Sequence, residues 1–319
     1  MAKHTKAYLA VIYICIIWGT TYLAIRIGVL HYPAFLFAGV RQATAGIILL
    51  IFGLLVRKKI DLSTKNILQQ MLIGFLLLTM GNGCVTWGEK YVSSGVAALI
   101  CSLMPIFAVA FNLILSRKEK LNFSIALGML LGFSGVALIF RHNISDLTNP
   151  KYITGILVVL LATICWSFGS MFNRKQKKPE NPIFNVGMQL FFGGLFMLIE
   201  SPVIDDYSNF TWWNGPAFYC LLYLIVLGSV FAYAAYMYAL GELPVGIATI
   251  YAYVNPLVAV VLAYLAKDGE LNIYIGMAFI TIVLGVYLVN MGYRKQHALA
   301  KMAANTSERT FPENLPVNS

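Results

Sequence analysis

Ten nearly continuous apolar segments are spaced along this chain, and each is close to the length of one membrane crossing. They cover approximately residues 7–25, 33–56, 68–88, 93–116, 121–140, 152–173, 182–199, 212–240, 244–266 and 271–293. A helix needs roughly 20 apolar residues to cross a hydrocarbon layer about 30 Å thick. The strands of an outer-membrane barrel are about ten residues long and alternate apolar with polar positions. These segments do not alternate and are longer, so helices are expected. Composition points the same way: 59% of residues are hydrophobic and 11% charged. A soluble domain carries about 25% charged residues, so this chain has too few to coat a water-facing surface. The expected fold class is all-α, a polytopic membrane protein with ten transmembrane helices.

The net charge of +10 does not indicate nucleic acid as a partner. The basic residues sit in short clusters between the apolar runs, as membrane topology requires. With the N-terminus cytoplasmic, 17 of the 23 Lys and Arg residues fall inside; Arg26, Lys90, Arg141, Lys151 and Lys267 fall outside, and Arg41 lies within a span. Both termini are therefore expected in the cytoplasm, with the protein in the inner (plasma) membrane. The first apolar run is long enough to span and lacks a convincing small-residue cleavage site, so a cleaved signal peptide is not expected. Residues 294–319 are polar and read as a disordered cytoplasmic tail.

Cys15, Cys84, Cys101, Cys165 and Cys220 all fall inside apolar segments. Without a CxxC or a Cys/His cluster there is no ligand set for zinc, haem or iron–sulfur. No metal, cofactor or catalytic residue is expected, and the absence of a Walker A pattern means that ATP drive would need another subunit.

The two halves resemble each other. Trp18 aligns with Trp166, Arg26 with Arg174, Gly39 with Gly187 and Arg41 with Gln189, all at a spacing of 148 residues. Further on, the run 95–98 (Gly-Val-Ala-Ala) aligns with 246–249 (Gly-Ile-Ala-Thr), Pro105 with Pro256, Glu119 with Glu270, and Gly135-Val136 with Gly285-Val286. A five-span repeat contains an odd number of crossings, so its second copy, starting from the opposite side, is inverted. The repeats are expected at 7–140 and 152–293. Inverted repeats accompany alternating access around a site near the midplane.

Several stretches resemble the EamA-type drug/metabolite transporters, within them the YedA-like branch of bacterial inner-membrane proteins. These are 17–26 (IWGTTYLAIR), 38–41 (AGVR), 81–83 (GNG), 88–98 (GEKYVSSGVAA) and 251–257 (YAYVNPL). The resemblance covers roughly residues 7–292. It implies a ten-helix fold, a central cavity lined by both repeats, and export of small metabolites, often amino acids or amphipathic toxic compounds, without ATP. The family's acidic residue before the last helix of each repeat is present as Glu119 and Glu270. Its glycine spacing in that helix is kept at Gly128 and Gly135, and altered where Gly276 stands farther from Gly285.

Single residues suggest the chemistry. Pro105 and Pro256 are expected to break the fourth and ninth spans, since proline removes a backbone donor and clashes one turn back. Paired interruptions point to a binding site, although a packing kink is the plain alternative. Asn255 offers a donor and an acceptor beside Pro256, whereas its counterpart Met104 offers neither, so a lopsided cavity is expected. Arg41 is the one charge deep in a span; it is a candidate substrate contact, or else it snorkels to headgroups. Trp18 and Trp166 would wall a cavity or pack the core. Asn82 is a polar handle between two glycines, and Gln189 is the pseudo-symmetric partner of Arg41. Of Tyr233, Tyr236, Tyr238, Tyr251 and Tyr253, two or three are expected to reach the cavity, and Tyr253 joins the candidate set. Glu89 and Glu200 read mainly as solvated ends, with proton coupling a weaker reading. Gly128-xxx-Gly132 would pack helices within one protomer or across a homodimer.

The expected function is a secondary exporter whose partners are a small-molecule substrate and the lipid bilayer. A membrane enzyme or a passive channel or scaffold stays open. The enzyme reading lacks a clustered catalytic set: there is no HExxH, the four histidines are scattered, and no Asp lies in a span core.

Overall fold

The structure is a computed structural model. It describes all residues except 1, 57, 116–120, 143–148, 175, 177–179, 209, 212, 244–250 and 311–319. Among the described residues every regular element is helical. We number the helices in chain order as α1 (Ala2–Val29), α2 (Ala34–Leu55), α3 (Thr64–Gly88), α4 in two pieces (Ser94–Cys101 and Met104–Leu115), α5 (Phe123–His142), α6 (Pro150–Arg174), α7 (Pro182–Ile204), α8 (starting with Gly215–Tyr223 and ending with Ala232–Glu242), α9 (Tyr251–Leu265) and α10 (Ile273–Thr310). Seven of these, α1, α2, α3, α6, α7, α8 and α10, contain a stretch long and apolar enough to cross a membrane. Shorter apolar helices, Phe123–Gly135 and Val254–Leu265, lie in α5 and α9. Large apolar side chains such as Leu55, Phe123, Val203 and Leu265 face outward. In a membrane protein that surface meets lipid and needs no further cover.

The inverted repeat is visible in how the glycines pack. A Cβ on Gly39 would lie 2.9 Å from the Leu198 Cγ, and one on Gly187 would lie 3.0 Å from the Leu50 Cγ. A Cβ on Gly46 would lie 2.6 Å from the Phe191 Cα, and one on Gly194 would lie 2.8 Å from the Ala43 Cα. Each pair maps onto the other when residue numbers shift by 148, so α2 and α7 cross on a pseudo-two-fold axis. The α5–α10 pair repeats the pattern: a Cβ on Gly135 would lie 3.0 Å from the Ala278 carbonyl oxygen, and one on Gly285 would lie 2.6 Å from the Gly128 carbonyl oxygen. Small residues let backbones approach this closely, which is the main way that membrane helices gain contact without a hydrophobic driving force. Gly128 and Gly132 are covered within the chain, by Gly285 and Val289 and by Ile106.

The two prolines behave differently. The fourth span is interrupted at Ser102 and Leu103, and Pro105 sits in the first turn of its second piece, where the missing N–H has no helical partner to lose. Pro256 instead lies inside the continuous helix α9, which corrects the expected pair of breaks. The neighbouring Asn255 is tied into the bundle. With its amide turned to suit its surroundings, its nitrogen donates to the carbonyls of Tyr251 (3.1 Å) and Cys15 (2.9 Å), stitching α9 to itself and to α1.

Two further local features bear on the ends of the bundle. The Asp205 carboxylate accepts from the amides of Phe35 (3.2 Å) and Leu36 (2.9 Å), a cap on the N-terminus of α2 supplied from the end of α7. The last helix runs on to Thr310, past Arg294, where ordered structure was expected to stop. The residues after Tyr293 include Arg294, Lys295, Gln296, Ala298, Leu299 and Ala300, all good helix formers.

Candidate functional site

A cavity of about 90 Å³ lies at the centre of the bundle. Its walls come from α1, α2, α3 and α4 of the first repeat and from α6, α8 and α9 of the second. Trp18, Arg41, Asn82, Trp166 and Asn255 all line it.

Local backbone irregularity shapes the site. Both α3 and α8 widen into π-helix, at Phe75–Gly83 and Leu224–Phe231, stretches that occupy equivalent places in the two repeats. A π-helical turn shifts the hydrogen-bond register, frees carbonyls and redirects side chains, and such turns recur at functional sites. Carbonyls of the second stretch also accept side-chain donors: Gly228 from Trp18 Nε1 at 3.1 Å, and Leu227 from the Tyr13 hydroxyl at 3.4 Å. Each stretch presents a Gly–polar pair to the cavity, Gly81-Asn82 in α3 and Gly228-Ser229 in α8. Ser229 was missed in the sequence reading; at the 148-residue spacing it aligns with Gly81, one place from Asn82.

These residues form one polar chain. Arg41 Nε donates to Ser229 Oγ (3.1 Å), Ser229 Oγ donates to Gln42 Oε1 (3.3 Å), and Gln42 Nε2 donates to Asn82 Oδ1 (3.0 Å). Three helices, α2, α3 and α8, thus hold one guanidinium in place. Arg41 is 4% exposed, and its Nη1 is buried with no hydrogen-bond partner. A buried donor without a partner is costly, more so on a charged group. A fixed guanidinium with a free edge is shaped to receive a carboxylate or phosphate.

The walls are chemically lopsided. On one side Trp18 packs against Tyr251 (ring centroids 4.9 Å apart), Tyr236 (5.2 Å) and Tyr233 (6.4 Å). On the other, Trp166 faces Gly81, with Met104 close by, and the neighbouring Ser167 hydroxyl donates to the Met104 carbonyl at 3.0 Å.

Other candidates lie elsewhere. Gln189 is buried outside the cavity, in an amide cluster at the end of the bundle where α1 begins. Its Nε2 donates to Gln70 Oε1 (2.7 Å) and Asn173 Oδ1 (3.4 Å), and Gln70 Nε2 donates in turn to Asn66 and Gln176. Arg41 bonds Ser229 on the cavity wall while Gln189 bonds Gln70, so the two equivalent positions serve different sites. The Tyr253 side chain lies outside the described residues, as do Glu119 and the stretch 246–249. Glu200 is half-buried on α7.

At the opposite end, charged groups tie three segments together. Arg26 Nε donates to Asp268 Oδ1 at 2.8 Å, and Asp268 Oδ2 accepts from the Ser94 amide (2.9 Å) and hydroxyl (2.8 Å). Arg26 Nη1 also donates to the Glu89 carbonyl. Lys267 takes a φ of 58°, a left-handed conformation uncommon outside glycine, in the turn that brings Asp268 to Arg26.

A bundle of inverted helical repeats around a central cavity with a fixed, incompletely bonded cation has the architecture of a membrane transporter. The chain belongs to the EamA-like transporter family, whose model matches it twice, over residues 5–141 and 153–291. It is 35% identical over 280 residues to the uncharacterized inner membrane transporter YedA of Escherichia coli (strain K12), covering 87% of this chain and 88% of YedA. It is 25% identical over 284 residues to the uncharacterized transporter YoaV of Bacillus subtilis (strain 168), covering 89% of this chain and 96% of YoaV. A solved crystal structure superposes with a TM-score of 0.62 at 18% identity over 91% of this chain and 98% of its own, a likeness of fold. The protein is therefore a multi-pass membrane transporter.

Proposed function

We propose that this protein is a secondary transporter that exports a small anionic or zwitterionic metabolite, of amino-acid type or amphipathic, across the bacterial inner membrane by alternating access. Arg41 carries the reading: a guanidinium 4% exposed, held by Ser229 on the cavity wall, with Nη1 unbonded. A substrate carboxylate supplies the missing partner. The Trp18, Tyr233 and Tyr251 side of the cavity takes the apolar part of the same molecule. The charged link around Arg26 and Asp268 at one end and the amide cluster around Gln70 and Gln189 at the other supply closures on both sides of the cavity. The 17-to-5 distribution of Lys and Arg supports cytoplasmic termini.

The test is a transport assay in proteoliposomes with a panel of labelled amino acids and organic acids, run with and without ion gradients. The expected result is gradient-dependent accumulation of a carboxylate-bearing compound, lost in Arg41→Gln. Equal flux without a gradient and without saturation would make the protein a channel. Transport confined to cationic compounds would overturn the role given to Arg41.

A further inference from the structure

Glu89 follows α3 by one residue, at the end of the bundle where Arg26 meets Asp268. Its side chain is 0% exposed, and neither carboxyl oxygen has a hydrogen-bond partner. This is unusual, because a buried carboxylate ordinarily recruits donors or a cation. The nearby cation is already committed: Arg26 bonds the Asp268 carboxylate and the Glu89 backbone carbonyl. An ionised Glu89 would add an unpaired negative charge to a buried site whose Arg26 and Asp268 charges already cancel. A neutral carboxylic acid adds none.

The surroundings of Glu89 come from every side. Arg26 and Tyr22 face it from α1, Arg41 from α2, Cys101 from α4, and Asp268 from the turn before α10. The sixth helix meets the preceding Gly88 through Gly155 and Val159, which carry no charge. Burial, then the Asp268 carboxylate, pushes the Glu89 carboxyl well above the usual carboxylate range, against the opposing pull of Arg26 and Arg41. Tyr22 and Cys101 also line the cavity, so Glu89 sits between the cavity and the Arg26–Asp268 link.

We propose that Glu89 is a proton-binding site, protonated while the Arg26–Asp268–Ser94 link is closed and ionised when that link opens and water reaches it, so that transport is coupled to proton movement. This rests on the transporter reading above. The step is a simple exchange. On closing, a carboxylate oxygen takes a proton from hydronium, an O–H bond of hydronium breaking as the carboxyl O–H bond forms and water being left; on opening, the carboxyl O–H bond breaks and the proton returns to water as hydronium. The ligand is the proton, and no other covalent bond of the protein changes. Loss of the Glu89 charge also leaves Arg41 free for an anionic substrate, since the two groups attract when Glu89 is ionised.

The test uses the full chain in liposomes, with the proton as the only probe. Infrared difference spectra across a pH jump should show a protonated-carboxyl band that is absent in Glu89→Gln. Asp268→Asn removes a negative neighbour and frees Arg26 to pair with Glu89, so it should lower the midpoint of that band by about one pH unit or more. This second arm reads the site even if Glu89→Gln fails to accumulate. A band unchanged in Glu89→Gln, or a midpoint unmoved in Asp268→Asn, overturns the proposal. Because no substrate is present, a titrating band in a protein that transports nothing would sink the transporter reading alone. Gradient-driven flux in a protein without the band would sink the proton site alone.

Discussion

Arg41 on α2 donates through Nε to Ser229 Oγ on α8 at 3.1 Å, a bond that fastens a cation of the first repeat to the π-helical stretch of the second. The bond fixes the plane of the guanidinium and leaves Nη1 free. A residue present only for packing would have its polar atoms satisfied, and this one does not.

Arg41→Gln should leave membrane accumulation and thermal stability near wild type while weakening binding of a carboxylate substrate by roughly tenfold to a hundredfold, the range set by losing one charge-assisted hydrogen bond of about 1.5–3 kcal/mol. Arg41→Lys should recover little, because an ammonium does not present two parallel donors. The readouts are substrate binding and initial flux in proteoliposomes beside a melting curve. A variant that transports normally, or one that never reaches the membrane, makes Arg41 structural.

Breaking the charged link should open one end of the cavity. Cys101 lines the cavity and is buried, so it serves as a native reporter once the other four cysteines are replaced by serine. Arg26→Gln should raise the rate at which a membrane-impermeant thiol reagent labels Cys101 from the side of the membrane on which that link lies, by about tenfold if the link contributes roughly 1.4 kcal/mol to closure. An unchanged rate would mean that other contacts hold that end shut.

The crossing of α2 and α7 should resist even one methyl group. A Cβ on Gly46 would lie 2.6 Å from the Phe191 Cα, so Gly46→Ala should cost about 1–3 kcal/mol. It should lower the melting temperature of the detergent-solubilised protein. A Cβ on Gly276 meets nothing within 4 Å, and Gly276→Ala should be neutral or slightly stabilising. Equal melting temperatures for the two variants would mean that the crossing yields more than its geometry suggests.

Topology can be read with reporter fusions. Fusions after Ser116 and Ser319 should report the cytoplasm, and one after Asn149 the periplasm. A periplasmic signal at Ser319 would reverse the orientation inferred from the Lys and Arg distribution.

Much of the architecture was legible along the chain because lipid simplifies the problem. A backbone in hydrocarbon must satisfy its own hydrogen bonds, so an apolar run of sufficient length is a helix whatever its neighbours. Matched landmarks such as Trp18 with Trp166 and Gly39 with Gly187 then expose the repeat and, through its odd number of spans, its inversion. Arg41 stood out for the same reason: a charge in that setting is conspicuous.

Contacts across the bundle were not legible, since they depend on the rotation and register of each helix. Gln189 aligns with Arg41 yet faces Gln70, because the side chains that pack around the two equivalent positions differ between the repeats. Pro105 and Pro256 align yet differ, one in the first turn of a helix and the other inside a continuous one, and nothing along the chain distinguished them. The π-helical stretches in α3 and α8 leave no periodic trace in a uniformly apolar run, so Ser229 gained its role only when α8 came to lie against α2. Glu89 read as a solvated end because a carboxylate one residue past a span usually meets water. Its burial came from elements far apart in sequence, as Asp268 drew Arg26 and Ser94 together over it. Apolar length and charge pattern act through the solvent and are local, so the sequence alone determined the helices and their repeat. A polar partner is a matter of distance between helices, and only the tertiary structure decided which groups found one and which, like Arg41 Nη1 and the Glu89 carboxyl, did not.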